Sequence, residues 1–503
     1  MRWYVGVFCF SLFLVSNCET PPDPYAKPVR RVQKPQKIEP PAPDAPFVPP
    51  FDVVETVPAD ETLPEYLKPR PSRFSKKMWR KIQDAAEEFV ALRRTLHSMP
   101  ELAHREVNTA RVLAAQLESL GLKLVGPVGL TGFAAVLEGT QPGPVVAMVA
   151  GMDGVAVPET TQLPYSSRTV GYWNGQKVPV SHALGRDVEM AIAVGVAKVL
   201  ASMKEHVVGR VVFIFQPASG RLQPGENPGA QDVIASGILS RLGIEALFHF
   251  PVDPGLSVGK AGVIAGAVSG GSTRFTVTIT GTQNRICSGD VPWKCVDPIA
   301  MAAHLIEELL MLPSKHFGPN RQVVLNIGRI EGGESGNMVA SSAFIQGMFR
   351  WLVPADATRM QQLISRTIDG AARAAGAKIA GHFEPGPQGS GGNAALIRWS
   401  VPTLVRSLGR KGVMPGDPLA EPGDFVLYQK ELATAMILVG CGRVHRDTGR
   451  RGEGNFAPDD ETVLVGVHIA ANLILDYLHD DQRPALIKPA PTVNQNANDR
   501  TSK

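Results

Sequence analysis

Three short runs of almost uninterrupted apolar residues place the strongest constraint on the fold. They cover 132–137, 145–150 and 211–215, and such lengths are typical of strands buried on both faces. A helical pattern at 187–203 separates the last two runs. Before the first run, the apolar spacing predicts one helix from Lys76 to about Leu96 and a second over 107–120. Strands that alternate with helices indicate an α/β domain.

The pattern changes between about 271 and 382. Arg274–Thr280 alternates polar and apolar residues, as in a strand with one exposed face. A helix, two strands and a second helix follow, which gives the order β-α-β-β-α. This order predicts an antiparallel sheet backed by two helices, inserted into the first domain, whose two parts we place at 76–270 and 383–480.

The amino-terminal region has the composition of an export signal. An apolar run of thirteen residues, 3–15, follows Met1-Arg2 and is too short to span a bilayer. The residues from Val15 to Cys18 then form a sequence similar to a bacterial lipobox. We therefore expect a signal peptide at 1–18, lipid attachment at Cys18, and a membrane-anchored lipoprotein of a bacterial cell envelope. An ordinary cleaved signal, which would give a periplasmic protein, and an uncleaved anchor are the alternatives.

Proline dominates the segment that follows. Residues 19–75 include 15 of the 42 prolines interleaved with Lys and Arg, so we predict an extended linker rather than helix or sheet. The segment 481–503 is rich in Pro and Asn and is predicted to be disordered. Because Lys and Arg exceed Asp and Glu by only four over 503 residues, nucleic acid is not an expected partner.

Eight short phrases in the body carry a resemblance to a known family. They are LRRTLHSMPEL at 92–102, MDGVAVPE at 152–159, LPY at 163–165, SHALGRD at 181–187, FQPA at 215–218, PGLSVG at 254–259, VDPI at 296–299 and GDF at 423–425. In this order the phrases resemble the M20 metallopeptidase superfamily, and most closely its amidohydrolase branch of hippuricases, aminoacylases and auxin-conjugate hydrolases.

The resemblance implies a mixed-sheet, zinc-peptidase-like catalytic domain with an inserted lid domain that commonly dimerises. It implies cleavage of amide bonds in N-acyl amino acids or small peptides. One or two ions of zinc, manganese, nickel or cobalt would lower the pKa of a bound water and polarise the scissile carbonyl, while a Glu takes the proton. A homodimer through the lid is the corresponding expectation for assembly.

Most family positions that carry this chemistry are altered here. The bridging Cys and a His ligand of the family correspond to Leu184 and Arg186, and the general base and the next ligand correspond to Ser219 and Gly220. A hydrocarbon and a guanidinium cannot coordinate a metal. The remaining altered positions are Glu189, Pro251, a position near Gly452, Gly423, and Arg285 in place of the lid His that stabilises the oxyanion.

The simplest interpretation is a pseudoenzyme with neither metal nor catalytic residues, acting by binding or as an envelope scaffold. In this hypothesis a peptide or N-acyl amino acid lies in the old cleft. The ligand-binding candidates are Arg186, Arg285, Asn337, Asp153 and His182. Alternatively, Arg186 pairs with Asp187, Glu189 or Asp153 merely to neutralise a vacated site, and Asp153 and His182 are structural.

An active metal-dependent amidohydrolase or peptidase is the competing hypothesis. It would require a rearranged ligand set of His182, Asp187, Glu189 and His249, with zinc, manganese, nickel or cobalt as cofactor.

Two lid cysteines, Cys287 and Cys295, flank a segment with Gly and Pro. They could close a small disulfide loop in an exported protein, or remain two buried thiols.

Overall fold

The computed structural model describes residues 69–484, apart from 73, 265–266, 283–292, 294, 320, 387–389, 417–422 and 444–446. The predicted signal peptide, most of the Pro-rich linker and most of the predicted disordered tail lie outside the described residues. So do Cys18, Arg285 and Cys287.

The described strands are β1 (Lys123–Val128), β2 (Gly132–Glu138), β3 (Gln141–Gly151), β4 (Val170–Trp173), β5 (Gln176–Pro179), β6 (Val208–Gln216), β7 (Ala246–His249), β8 (Val252–Ser257), β9 (Ala261–Val263), β10 (Ala267–Ser269), β11 (Gly271–Thr280), β12 (Val324–Gly332), β13 (Ser342–Trp351), β14 (Lys378–Pro385), β15 (Ser390–Gly391), β16 (Val413–Pro415) and β17 (Ala433–Gly442).

The described α-helices are α1 (Ser75–Asp84), α2 (Ala86–Ser98), α3 (Val107–Ser119), α4 (Arg186–Ala201), α5 (Gly229–Ala235), α6 (Ile238–Arg241), α7 (Pro298–His316), α8 (Pro354–Ala375), α9 (Ala394–Leu408) and α10 (Glu461–His479). The apolar spacing from Lys76 predicts one helix, but Ala85 separates α1 from α2. The spacing does not reveal this break, because both helices bury their apolar residues in the same core.

A mixed nine-stranded sheet forms the centre of the body. Its main path runs β1-β2-β6-β3-β7-β17-β9-β16, and β8 pairs with β17. β6, β3, β7 and β17 are mutually parallel, whereas β1 and β2 are antiparallel to their neighbours. The three apolar runs lie within β2, β3 and β6 and are almost wholly buried, which confirms the α/β prediction.

Hydrophobic cores cover both faces of this sheet. One face packs against the long helices, including α2, α4 and α10, and the other against α5, α6 and the segment around Tyr428. Helix α10 is long and apolar enough to cross a membrane by length and composition, but 94% of its apolar window is buried inside the protein. Its apolar side chains therefore pack in the hydrophobic core of the protein.

The inserted domain has its own sheet and core. The strand order is β12-β13-β11-β14, all pairs are antiparallel, and α7 and α8 pack against one face. The sequence predicted β-α-β-β-α, and the structure adds β14, which extends to Pro385 rather than ending at 382. The burial pattern of β14 is mostly exposed, so the sequence of this edge strand has little apolar alternation to detect.

Candidate functional site

A cleft lies where the parallel strands end. The register places Gly151 of β3 beside Gln216 of β6, and Val149 of β3 beside His249 of β7. The carboxyl ends of neighbouring parallel strands form the usual binding edge of an open α/β sheet. A cavity of about 400 Å³ opens there, within the size range of small-molecule sites.

The lining of the cavity combines charged, polar and apolar residues. Its charged and polar residues include Arg186, Gln216, Ser219, Arg221, His249, Asp253, Asp424 and Arg451, and its apolar residues include Val149, Leu184, Val252, Leu256, Phe425 and Met436. A larger cavity of about 670 Å³ lies near Glu245, just before β7 begins. That larger cavity contains none of the motif residues, so we place the candidate site in the smaller one.

The start of α4 positions the central charges of the site. Gly185 has a φ of 78°, and a Cβ there would lie 2.4 Å from a methyl of Val252, so a side chain is excluded at this turn. Arg186 is the first residue of α4 and Glu189 follows three positions later, on the same side of the helix. The Arg186 Nη1 donates to both carboxylate oxygens of Glu189, at 3.0 and 2.8 Å.

Glu189 is held as a carboxylate by these neighbours. It is 1% exposed and lies 3.1 Å from the Nε2 of His249. Burial alone would raise the pKa of Glu189, but the positive charge of Arg186 and the hydrogen bond from His249 lower it to about 2. Burial lowers the pKa of His249, and its Nε2 donates to the Glu189 carboxylate.

The turn after β6 fills the space next to this ion pair. Asp153 accepts hydrogen bonds from Ser219 N at 2.9 Å, Ser219 Oγ at 2.7 Å and Gly220 N at 2.9 Å. A Cβ at Gly220 would lie 2.6 Å from Asp153 Oδ2, and one at Gly151 would lie 2.1 Å from Ser219 Oγ. Neither glycine could carry a side chain without displacement of these groups.

A second buried ion network lies behind the cleft. Asp187 Oδ2 accepts from Arg93 Nε at 2.7 Å and from His97 Nδ1 at 2.9 Å. The Nε2 of His97 lies 3.0 Å from Glu159 Oε1. Burial opposes the charge of His97, yet these carboxylates raise its pKa to about 9. The Asp187 side chain is therefore hydrogen-bonded to residues of α2 rather than to residues of the cleft.

His182 is buried close to this second network. Neither ring nitrogen has a hydrogen-bond partner among the described residues, and burial lowers its pKa to about 4. The ring is therefore neutral at pH 7. It is not among the residues that line the cavity within the described part of the chain, so its role in ligand binding stays a prediction.

The structure brings together only part of the predicted binding set. Arg186 lines the cavity, and Asp153 lies just behind its wall. Asn337 is exposed on the loop after β12, where it accepts from Ser335 Oγ at 2.6 Å, and it is absent from the described lining of the cavity. Arg285 lies outside the described residues. Cys295 is disulfide-bonded, while its predicted partner Cys287 lies outside them.

Two buried carboxyl groups near the cleft had no role in the sequence analysis. Glu106 accepts from Ala218 N at 2.8 Å, and burial together with Asp153 raises its pKa to about 7. Asp424 accepts from Gln216 Nε2 at 2.7 Å, and burial raises its pKa to about 6. The GDF phrase contains Asp424 and could have identified it as a site residue. None of the quoted phrases contains Glu106.

Arg451 is a further cleft residue without an assigned role in the sequence analysis. Its Nη2 lies 3.8 Å from Glu189 Oε1, and its Nε donates to Leu184 O at 3.2 Å. Gly452 N donates to Ala183 O at 2.8 Å. This loop therefore lies beside the start of α4, where the resemblance places the last family ligand.

The residues at the family's metal positions do not fit a metal. Leu184 offers only hydrocarbon, Arg186 brings a fixed positive charge, and Ser219 donates its hydroxyl hydrogen to Asp153. The rearranged ligand set of the competing hypothesis does not come together either, because Glu189 and His249 bind each other while Asp187 binds Arg93. Among the described residues, no group of three or more His, Cys, Asp or Glu is arranged to hold a metal ion.

An α/β body with an inserted lid and a cleft at the strand ends defines the class of zinc-peptidase-like hydrolase folds. The chain belongs to the peptidase family M20/M25/M40, whose sequence profile matches residues 147–474.

Relatives named as hydrolases match most of the chain. The N-acetylcysteine deacetylase of Bacillus subtilis is 29% identical over 392 residues, which are 77% of this chain and 96% of the relative. The IAA-amino acid hydrolase ILR1-like 5 of Arabidopsis thaliana is 27% identical over 406 residues, 80% and 89% of the two chains. The YXEP protein of Bacillus subtilis, described as a dinuclear metal-binding peptidase, has a TM-score of 0.66 at 25% identity and covers 79% of this chain and 99% of its own.

Proposed function

We propose that this protein is a non-hydrolysing member of the M20 family that binds an N-acyl amino acid or a small peptide in its cleft. The observation that carries the proposal is the buried pair between Arg186 and Glu189 at the family's metal position. A relative that hydrolyses amides with metal ions would need ligands where this chain has a guanidinium.

Electrostatics oppose metal binding at this point. A divalent cation and the Arg186 guanidinium would repel each other, and burial strengthens that repulsion because water no longer screens it. Arg186 is 5% exposed, and its Nη1 donates to both oxygens of Glu189, so it cannot move into solvent without removing its positive charge from this buried carboxylate. The site therefore favours the protein's own cation over a metal ion.

General base catalysis lacks its residue as well. The family's Glu would take a proton from the attacking water, and the corresponding Ser219 is itself a donor to Asp153. Asp153 already accepts three hydrogen bonds from Ser219 and Gly220. The cleft consequently contains no free carboxylate base at the family position.

The shape and chemistry of the cavity support retention of a ligand. A volume of about 400 Å³ accommodates a molecule the size of an N-acyl amino acid. Leu256, Phe425 and Met436 offer apolar surface for the acyl group, and the arginines of the same lining suit a carboxylate. Relatives named for N-acetylcysteine and for N-acyl-L-amino acids point to the same ligand class.

Metal content and amide hydrolysis test the proposal together. After incubation with zinc, manganese, nickel or cobalt and gel filtration, we expect mass spectrometry to find well below one metal ion per chain. Release of free amino acid from N-acetylcysteine, N-acetylleucine and N-benzoylglycine should stay at the level of buffer alone. The N-acetylcysteine deacetylase relative serves as the positive control. Stoichiometric metal with measurable turnover would instead support the active amidohydrolase.

We also propose that the protein is an envelope lipoprotein attached through Cys18. The support is the apolar run 3–15, followed by the lipobox-like sequence that ends at this cysteine. In bacterial cells fed with radiolabelled palmitate, the wild-type protein should carry label in the membrane fraction, and the Cys18→Ala variant should carry none. Equal labelling of the two proteins, or none in either, would exclude lipid attachment at Cys18.

A further inference from the structure

Asp424 presents one of its carboxylate oxygens to the cleft. Its Oδ2 accepts hydrogen bonds from Gln216 Nε2 at 2.7 Å and from Ala230 N at 2.8 Å. Within the described part of the chain, Oδ1 has no hydrogen-bond partner and is not a fully buried atom. Because the Asp424 side chain lines the cavity and is only partly buried, its Oδ1 is accessible to a ligand.

Hydrogen bonds from β6 and α5 hold the Asp424 carboxylate in this orientation, since Gln216 ends β6 and Ala230 belongs to α5. The Tyr428 hydroxyl donates to Gln216 Oε1 at 2.8 Å, which leaves the amide nitrogen of Gln216 to donate to Asp424. Burial keeps the pKa of Tyr428 well above its ordinary value, so the hydroxyl remains a donor. An acceptor fixed in this way loses little conformational entropy when a ligand binds.

The cations beside Glu189 are engaged with groups of the protein, whereas Asp424 has no ion-pair partner among the residues that the structure describes. Arg186 donates to both oxygens of Glu189, and Arg451 donates to Leu184 O. Burial would raise the pKa of Glu189, but Arg186 lowers it to about 2. Burial does raise the pKa of Asp424, to about 6. A positively charged ligand group would supply the compensation that Asp424 lacks.

We propose that Asp424 determines the ligand specificity of the cleft, because its Oδ1 accepts a hydrogen bond from the ammonium group of a small peptide. This inference rests on the proposed function, since it concerns the ligand of the same cleft. Of the two ligand classes proposed there, it selects the small peptide with a free amino terminus. The amide N–H of an N-acyl amino acid could also donate to Asp424, but it carries no charge and would leave the carboxylate uncompensated.

The expected contact is a charge-assisted hydrogen bond between an ammonium and a carboxylate, which is about twice as strong as a hydrogen bond between neutral groups. Leu256, Phe425 and Met436 line the same cavity and would contact the first side chain of the peptide. Phe425 directly follows Asp424 in the chain. The ligand class is therefore a short peptide that begins with an apolar residue.

Calorimetry with matched ligands tests the inference. The full-length protein would be titrated at pH 7, where a peptide amine is mostly protonated, with leucylglycine and phenylalanylglycine. Isocaproylglycine and hydrocinnamoylglycine are the matched N-acyl amino acids, because each lacks only the ammonium group of its dipeptide. We expect at least one dipeptide to bind about tenfold or more tightly than its matched analogue, since the analogue lacks the charged hydrogen bond.

Asp424→Asn tests the assignment to this residue. The substitution keeps an oxygen that can accept from Gln216 and Ala230 but removes the charge, so the dipeptide should bind about tenfold more weakly. The matched analogue should bind no more weakly than to wild type. Glu118→Gln removes an exposed carboxylate of α3, outside the described lining of the cavity, and should change each Kd by less than about twofold.

Asp253 is the other described carboxylate that lines the cavity. Its Oδ1 accepts from Gly255 N at 2.8 Å, and Asp253→Asn tests whether it binds the ammonium instead. A loss of the preference for the dipeptide that is confined to Asp253→Asn would overturn the assignment of Asp424. A loss confined to Asp424→Asn supports it.

The outcomes separate this inference from the proposed function. If wild type binds the N-acyl amino acids as tightly as the dipeptides, the inference is wrong while ligand binding stands. If wild type binds none of these compounds, the proposed ligand class is wrong, and the inference falls with it. If folded Asp424→Asn keeps the preference for the dipeptide, another group binds the ammonium. Circular dichroism and the melting temperature establish that each variant is folded, and the wild-type comparison decides the preference even if Asp424→Asn does not fold.

Discussion

Replacement of Arg186 by alanine should lower the free energy of unfolding by about 3 to 5 kcal/mol. The reason is the charge left behind: Glu189 is 1% exposed and would keep only His249 as a close partner. Removal of one member of a buried ion pair is far more costly than removal of an exposed charge. Urea denaturation of the folded protein at pH 7, followed by circular dichroism, measures the change.

Two comparison variants show whether the unpaired charge is the cause. Arg186→Met combined with Glu189→Leu removes both charges and keeps the volume, so it should recover most of the lost stability. Arg94→Ala removes an arginine that is half exposed and pairs with Asp460, and it should cost less than about 1 kcal/mol. A loss below 1 kcal/mol in Arg186→Ala itself would show that the pair contributes little to the fold.

The free energy of unfolding should fall by about 3 kcal/mol between pH 6.5 and about pH 9 because of His97. Both ring nitrogens face carboxylate oxygens, Asp187 at 2.9 Å and Glu159 at 3.0 Å, and only the protonated ring can donate to both. Since the folded-state pKa lies above the value of a free histidine, the stabilisation is complete below pH 6.5. It is lost as the pH rises through about 9.

Denaturation curves at a series of pH values test this dependence. His97→Gln should be less stable at pH 7 and should show little further change up to pH 9, because no group titrates at that position. Glu106 also has a raised pKa, about 7, but its effect on stability ends near that pH and leaves the upper part of the window to His97. A wild-type curve that stays flat above pH 7 would mean that the ring is neutral in the folded protein.

The sequence predicted the fold more fully than the site. Buried strands such as β3 and β6 are recognisable because burial on both faces requires uninterrupted apolar residues. The exposed edge strand β14 was missed for the same reason, since nearly all of its residues face solvent. The resemblance placed Arg186 and Ser219 at the family's catalytic positions, and the structure brings both to the cleft.

Partners of charged groups could not be derived from spacing alone. Arg186 had three acidic candidates, and only the path of α4 decides that Glu189 receives both hydrogen bonds. Asn337 was expected at the ligand, but the lid loop leaves it exposed to solvent. Arg451 lies 265 positions after Arg186 in the chain, so no local pattern connects the two, although they face the same carboxylate.

The close packing around Gly220 also bears on any attempt to introduce the family's residues into this chain. A glutamate at this position would place its Cβ 2.6 Å from Asp153 and 3.2 Å from Leu184, so it would not fit without displacement of these neighbours. A histidine at 186 would remove the guanidinium that pairs with Glu189. Each single substitution is therefore expected to give a less stable protein, and a designed metal site would require several coordinated changes in the same cleft.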